Sequence, residues 1–215
     1  MIVVIQCAAS KRHHAGRLFT DTGLPVEFVG DPAKAPQTSA CLFARPDDLS
    51  ASGKTWRDGL SLYNAHPTEN PLGLLPAFRL YENPVYERLV EKFGLSNVYI
   101  LSAGWGLLSA GFLTPHYDIT FRQSAEDYKR RRKRDVYQDF CMLPLDADTE
   151  TIFLGGKDYV PLFTTLSAGI RGRRTIFYNS ASPPDARGCE LKRFPTSTRT
   201  NWHNECAAAL LAGTL

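Results

Sequence analysis

A short segment that combines a proline with three functional side chains is the most enzyme-like part of the sequence. It reads Thr114-Pro115-His116-Tyr117-Asp118. In an extended chain, alternate residues share a face, so His116 and Asp118 are predicted on one side and Tyr117 on the other. An imidazole and a carboxylate at this spacing can serve as acid, base or electrostatic partner. A structural loop held by salt bridges is the alternative interpretation.

Small and basic residues follow the first apolar segment of the chain, in the order Cys7-Ala8-Ala9-Ser10-Lys11-Arg12. The hydroxyl of Ser10 and the cations of Lys11 and Arg12 could bind a phosphate, although a solvated basic turn explains them equally well. The glycine and lysine spacing of a P-loop is missing, so hydrolysis of a nucleoside triphosphate is not predicted. Cys7 is either a nucleophile or a small buried hydrophobe.

Glycines surround further candidate residues after two other apolar segments. Ser102 precedes Gly104-Trp105-Gly106, and Gly155-Gly156 precedes Tyr159. Glycine allows a ligand to approach the backbone closely, and an indole in such a turn could stack on a base. A tryptophan that simply covers the end of a sheet is the alternative. The glycines do not follow the dinucleotide-binding pattern, which disfavours a Rossmann fold.

Six consecutive cations form the most basic stretch of the chain. The apolar spacing and a capping box at Ser124 and Asp127 predict a helix over 125–140, and the cations would surround most of it. The nearby Glu126, Asp127, Asp135 and Asp139 are too few to neutralise all of them. We therefore expect contacts with a nucleic-acid backbone, with a merely solvated helix as the alternative. The residues are Lys129, Arg130, Arg131, Arg132, Lys133 and Arg134.

Alternating strand and helix signals predict the elements that position these residues. Apolar, β-rich segments at 2–6, 98–102, 151–154 and 175–178 read as buried parallel strands, with 2–6 and 98–102 adjacent at the middle of the sheet. Helices are predicted over 53–64, 77–93, 125–140 and 201–211, the last capped by Asn201. Residues 21–52 read as an irregular excursion with one strand at 26–29, and 178–200 as a long loop. The pattern predicts one α/β domain over 1–215, with a mainly parallel sheet of about four strands.

Composition narrows the class of protein further. The 215 residues are 43% hydrophobic and 22% charged, with a net charge of +3, which is typical of a globular domain. Five cysteines without a C-x-x-C pair disfavour a disulfide framework and a zinc knuckle, so free thiols are expected, with no metal and no cofactor. No apolar stretch approaches the length of a membrane span, and no secretory signal is recognised. We expect a cytoplasmic protein.

The order of the motifs resembles YaaA-type proteins and, more closely, short bacterial and phage families related to them. In those families a C-S-x-x-K-like start and an L-S-A-x-Y-G-L-L centre recur. Trp105 stands where many of these relatives carry Tyr, His116 stands between the Pro and the Tyr-Asp pair, and the first motif has an extra Ala. The matching segments are Cys7-x-x-Ser10-Lys11, Leu101-Ser102-Ala103-x-x-Gly106-Leu107-Leu108, Pro115-x-Tyr117-Asp118, Leu154-Gly155-Gly156-Lys157-x-Tyr159 and Thr198-Arg199-Thr200-Asn201-Trp202.

This resemblance implies a three-layer α/β/α fold similar to that of uracil-DNA glycosylases, and an association with DNA and stress. We expect a DNA glycosylase-like enzyme that excises a damaged or hypermodified base, in repair or phage defence, from duplex or locally unpaired DNA. Asp118 would stabilise the oxocarbenium-like sugar or activate water, with His116 or Tyr117 bonded to the leaving base. A non-catalytic DNA-binding stress protein and a nucleoside or nucleotide glycosyl transferase remain alternatives.

Parallel strands bring their carboxyl ends to one edge of a sheet, so the candidate residues are expected to converge on one cleft. Asp118 should reach the sugar there, and Trp105 should lie at the rim or against the base. The expected substrate-binding set is Ser10, Lys11, Ser102, Gly104, Trp105, Gly106, Tyr117, Gly155, Gly156 and Tyr159, and the expected DNA-backbone set is Arg12 with the six cations at 129–134.

Overall fold

The computed structural model describes residues 1–66, 69–132, 134–144, 146 and 148–215. The α-helices of this described part are α1 (Trp56–Ala65), α2 (Val85–Phe93), α3 (Val160–Leu166) and α4 (Trp202–Ala212). Its strands are β1 (Ile2–Gln6), β2 (Val26–Val29), β3 (Leu42–Ala44), β4 (Leu75–Pro76), β5 (Val98–Ser102), β6 (Gly106–Ser109), β7 (Leu113–Thr114), β8 (Tyr117–Asp118), β9 (Phe140–Cys141), β10 (Thr151–Leu154), β11 (Arg174–Tyr178) and β12 (Glu190–Arg193).

A mostly parallel sheet forms the centre of this mixed α/β fold. Its strand order is β12-β11-β10-β1-β5-β6-β9, and only the β5–β6 pair is antiparallel. The four predicted strands are confirmed, and β1 pairs with β5 in the middle. The expected count of about four strands was too low, because the sheet has seven. The extra strands are short, and β12 is largely exposed, so none carries the apolar run that marks a buried strand.

The core lies against both faces of β1. Residues Ile2 to Ile5 are at most 3% exposed, as expected of a central parallel strand covered by helices. Helix α2 buries Val85, Tyr86 and Leu89, and it contacts β1, β5 and α4. Among the residues that the structure describes, no helix has the length and apolar composition needed to cross a bilayer.

A second, three-stranded sheet positions the Pro-His-Tyr-Asp segment. Strand β8 pairs in parallel with β2, which places Asp118 opposite Val29. Strand β2 confirms the prediction at 26–29, and β3 completes this sheet in the order β3-β2-β8. Tyr117 is fully buried, whereas the side chains of His116 and Asp118 are 26% and 39% exposed. The alternation of burial matches the predicted division between two faces.

The predicted helix over 125–140 is wrong. The described part of this segment has a single 3-10 turn at Asp127–Lys129, and its other described residues before β9 form no helix. The backbone N–H of Arg131 donates to Thr120 O at 2.9 Å, and that of Thr120 donates to Lys129 O at 3.0 Å. These bonds hold this segment against the chain that follows β8. Repulsion between like charges three or four residues apart would also destabilise a helix there.

The other helices differ from the prediction mainly at their starts. The region 77–93 contains a 3-10 turn at Ala77–Arg79, and α2 starts only after Pro84. Helix α1 starts at Trp56, where the Thr55 side chain accepts a bond from Asp58 N. Before α4, Asn201 has a left-handed φ of 59° and makes no side-chain cap, contrary to prediction. The predicted loop at 178–200 includes β12.

Candidate active site

A cavity of about 400 Å³ lies where β1, β8 and β10 end, and we call it the Asp118 cavity. Its volume falls within the range typical of small-molecule sites. Three of the predicted catalytic and substrate-binding residues, Lys11, Asp118 and Tyr159, line it together. Lys129 from the basic run lines it as well. The remaining lining residues are Cys7, Ala8, Ala9, Ile119, Thr120, Arg122, Ser124, Ala125 and Glu126.

Lys11 brings a confined ammonium group to this cavity. Its Nζ lies 4.2 Å from the centre of the Tyr117 ring and 3.4 Å from the carbonyl oxygen of Ala9. Burial lowers the pKa of Lys11, and nearby Lys129 lowers it further, while Cys7 and Asp118 act in the opposite direction. Desolvation thus makes Lys11 a stronger acid than an exposed lysine.

Asp118 is held at the cavity by Lys129. The Nζ of Lys129 lies 2.8 Å from Asp118 Oδ2 and 2.6 Å from Glu126 Oε2. The hydrogen bonds that the ammonium of Lys129 donates, first to Asp118 and then to Glu126, raise the pKa of Lys129, so its positive charge is retained. The carboxylate of Asp118 lines the cavity even though it is paired with Lys129.

Buried hydroxyl groups form a neutral wall behind Cys7. The Cys7 Sγ lies 3.2 Å from the hydroxyl of Tyr159, and the hydroxyls of Tyr81 and Tyr117 lie 2.9 Å apart. The hydroxyl of Tyr86 donates to Gln6 O at 2.9 Å. Burial raises the pKa of all four tyrosines, so they stay protonated. Sequence reasoning missed Tyr81 and Tyr86, because nothing in their local sequence separates them from core aromatics.

The glycine turn after β5 has a structural role. The guanidinium of Arg57 donates to Gly104 O at 3.0 Å and to Trp105 O at 2.9 Å, and its Nε donates to Asp47 at 2.5 Å. The Ser102 hydroxyl oxygen accepts bonds from Gly104 N and Trp105 N. These contacts hold the turn within the protein rather than at the cavity.

Trp105 does not lie at the rim, contrary to prediction. Its side chain is 0% exposed, and its ring centre lies 4.9 Å from that of Phe28. A Cβ atom on Gly104 would meet Ile119 at 2.9 Å, and one on Gly106 would meet Phe140 O at 2.5 Å. The glycines therefore allow close packing of the core, and the indole cannot stack on a base without unfolding this region.

Most of the described cations of the basic run are paired with carboxylates, two of which, Asp31 and Asp118, were not among the acids expected to neutralise it. Besides Lys129, Arg130 pairs with Asp127. Arg131 is buried and pairs with Asp139 at 2.6 Å. Arg132 lies 3.9 Å from Asp31, and Arg134 is exposed. The predicted position Lys133 lies outside the described residues.

Other predicted residues lie away from the Asp118 cavity. Arg12 pairs with Glu87 at 2.8 Å, and Ser10 is exposed. His116 does not line the cavity, and its Nδ1 lies 3.5 Å from Glu27 Oε2. Burial, together with Lys11 and Arg17, lowers the pKa of His116 to about 4, so the imidazole is neutral near pH 7. The predicted convergence is therefore incomplete.

A second lobe of about 200 Å³ adjoins the Asp118 cavity and shares Cys7, Ala8, Ala9, Thr120, Arg122 and Tyr159 with it. Gly156, one of the predicted residues, lies here, and its N–H donates to Gln6 Oε1 at 2.6 Å. Gly155 is buried against the Phe153 ring. The remaining lining of this lobe comes from Asp158, Arg199, Thr200, Asn201, Trp202 and His203.

The second lobe contains candidate residues that the sequence prediction did not assign. The polar segment before Trp202 was noted only as a motif, and His203 follows it directly in the chain. Among the described residues, no group of three His, Cys, Asp or Glu side chains could hold a metal ion. No protein-family model, curated protein or solved structure matches the chain.

Proposed function

We propose that the protein is a hydrolase acting on an N-glycosidic bond, a DNA glycosylase-like enzyme that releases a damaged or hypermodified base. The observation that carries this proposal is that Asp118 and the desolvated Lys11 line the same nucleoside-sized cavity. A three-layer arrangement similar to that of uracil-DNA glycosylases, and a role in repair or phage defence, belong to the same proposal.

The proposed reaction separates two charges that these residues can stabilise. As the bond between C1′ and the base nitrogen breaks, its electron pair leaves with the base and the sugar becomes oxocarbenium-like. The carboxylate of Asp118 stabilises this cation and takes the proton of the water that adds to C1′. The ammonium of Lys11 donates a proton to the departing base, a role helped by its lowered pKa. Lys129 keeps Asp118 in place.

DNA is the proposed partner, but the residues proposed to contact its phosphate backbone differ from those that the sequence predicted. Ion pairs occupy Lys129, Arg130 and Arg131, so these residues are poor candidates for phosphate binding. Arg122 and Arg199 are exposed and line the cleft, and no ion-pair partner for either is found among the described residues. They replace the basic run as the proposed contacts.

A free nucleoside or nucleotide is the second candidate substrate. It is favoured by the pairing of residues 129–132 with carboxylates, because an enzyme for small substrates needs no long cationic surface. The two substrates are compared directly by incubating the protein with canonical DNA, modified phage DNA and a panel of nucleotides, with released bases detected by mass spectrometry.

The matched variants are Asp118→Asn and, as control, Asp21→Asn, which changes an exposed carboxylate elsewhere. We expect Asp118→Asn to lower base release by about 100- to 10,000-fold, the range for a catalytic acid–base group, with unchanged DNA binding. The control should keep full activity. If neither DNA nor nucleotides lose a base, and Asp118→Asn binds DNA like the original protein, the non-catalytic DNA-binding alternative takes its place.

A further inference from the structure

The amino-terminal end of α4 opens into the second lobe. Trp202 and His203 are the first residues of this 11-residue helix, and both line the lobe. The first amides of a helix have no partner within it and carry partial positive charge. Asn201 precedes them in a left-handed conformation and makes no side-chain cap. Uncapped helix ends of this kind bind anions such as phosphate.

The buried side chain of His203, which lines the second lobe, provides an independent observation at this site. It is 1% exposed, and its Nε2 has no hydrogen-bond partner among the described residues. Burial lowers its pKa to about 4, so the ring is neutral near pH 7. An unpaired buried polar atom is costly, and a bound group that accepts or donates a bond would remove that cost.

The charged groups around this lobe favour an anion. Arg122 and Arg199 line it from two different loops, and Thr200 adds a hydroxyl. Among the described residues of the lining, the single carboxylate is that of Asp158. Two guanidinium groups and a helix end thus oppose one carboxylate, and guanidinium groups match the geometry of phosphate oxygens.

We propose that the second lobe binds a phosphate group of the substrate while the Asp118 cavity receives its sugar and base. The phosphate is either the 5′-phosphate of a free nucleotide or a phosphodiester of DNA. The choice of substrate rests on the proposed function, whereas phosphate binding itself requires no catalysis and is measured separately.

Titrations followed by NMR test the site. The probes are inorganic phosphate, deoxyadenosine 5′-monophosphate, unphosphorylated deoxyadenosine and a short single-stranded oligonucleotide. We expect the phosphorylated probes to shift the amide signals of Trp202 and His203, and deoxyadenosine to leave them in place. Stronger binding of the monophosphate identifies a nucleotide site, and stronger binding of the oligonucleotide identifies a backbone site.

Two variants separate phosphate binding from a structural role. Arg199→Gln should weaken binding about tenfold, the effect of one charge-assisted hydrogen bond, while Arg187→Gln, an exposed arginine elsewhere, should not. His203→Phe should preserve stability, because it removes an unpaired nitrogen, yet weaken phosphate binding. Unmoved α4 signals, or equal affinities for Arg199→Gln and Arg187→Gln, would overturn the proposal. Phosphate binding without release of any base would overturn the proposed function alone.

Discussion

Replacing Arg131 tests whether the basic run is a structural element or a DNA contact. Its side chain is 6% exposed, and its partner Asp139 is 7% exposed. The guanidinium donates to both Asp139 oxygens, at 2.8 and 2.6 Å, and to Ala103 O at 3.0 Å. It also lies 3.9 Å from the centre of the Tyr137 ring. The change Arg131→Gln leaves the Asp139 carboxylate buried and without its cation.

The expected loss follows from this burial. Removing one partner of a buried ion pair costs about 3–5 kcal/mol in the free energy of unfolding, because the other charge stays in a low-dielectric environment. For a chain of this length, that corresponds to a fall in Tm of roughly 6–20 °C. Arg134→Gln is the matched control, since it removes an exposed cation of the same run, and it should change stability by about 0.5 kcal/mol or less.

Urea denaturation followed by tryptophan fluorescence measures both variants, and DNA binding is measured on the folded proteins. A second variant, Arg131→Met with Asp139→Leu, should recover much of the lost stability, because it removes both buried charges together. The reasoning fails if Arg131→Gln is as stable as Arg134→Gln. It also fails if Arg131→Gln stays stable but loses DNA affinity, since that would identify Arg131 as a phosphate contact.

Three further predictions concern packing and pH. Trp105→Ala should lower stability by about 3–5 kcal/mol in a denaturant titration, while any remaining folded protein binds ligand normally, because the indole belongs to the core. Gly106→Ala should unfold at lower temperature, since φ is 88° and the added Cβ would lie 2.5 Å from Phe140 O; an unchanged Tm would contradict this packing. Stability should also fall as pH drops from about 6.5 towards 4, because unfolded His203 binds a proton that the buried ring, with a pKa of about 4, resists. His203→Phe should reduce this fall in urea titrations at pH 7 and 4.5, and an unchanged pH dependence would exclude His203 as a contributor.

Local sequence patterns were sufficient for the central strands. The apolar segments that became β1, β5 and β10 begin and end where predicted, because burial on both faces demands an uninterrupted apolar run. Since these strands run parallel, their ends meet at one edge, and this brought Lys11 and Tyr159 to one cavity, which Asp118 joins from β8 of the three-stranded sheet. The short strands β6, β9 and β12 lack such runs, so their pairing was not predictable.

The segment 125–140 shows where local patterns failed. Its apolar spacing and Ser124–Asp127 pair are compatible with a helix, yet the side chain of Arg131 is buried and donates to Asp139 and Ala103 inside the protein. Ala103 is distant in sequence and directly follows β5, and Asp139 lies beyond the carboxyl-terminal end of the basic run. Nothing in the local sequence indicates that Arg131 will be buried.

The sequence by itself determined the fold class, the positions of the central strands and the edge of the sheet beside which the Asp118 cavity lies, because these follow from apolar periodicity and from the geometry of parallel strands. Only the tertiary structure decided which polar residues face that edge. It buried Trp105, paired the cations at 129–132 with carboxylates and brought Arg122 beside Arg199 and His203. The physical reason is that desolvation and charge pairing depend on neighbours distant in sequence, which no local pattern records.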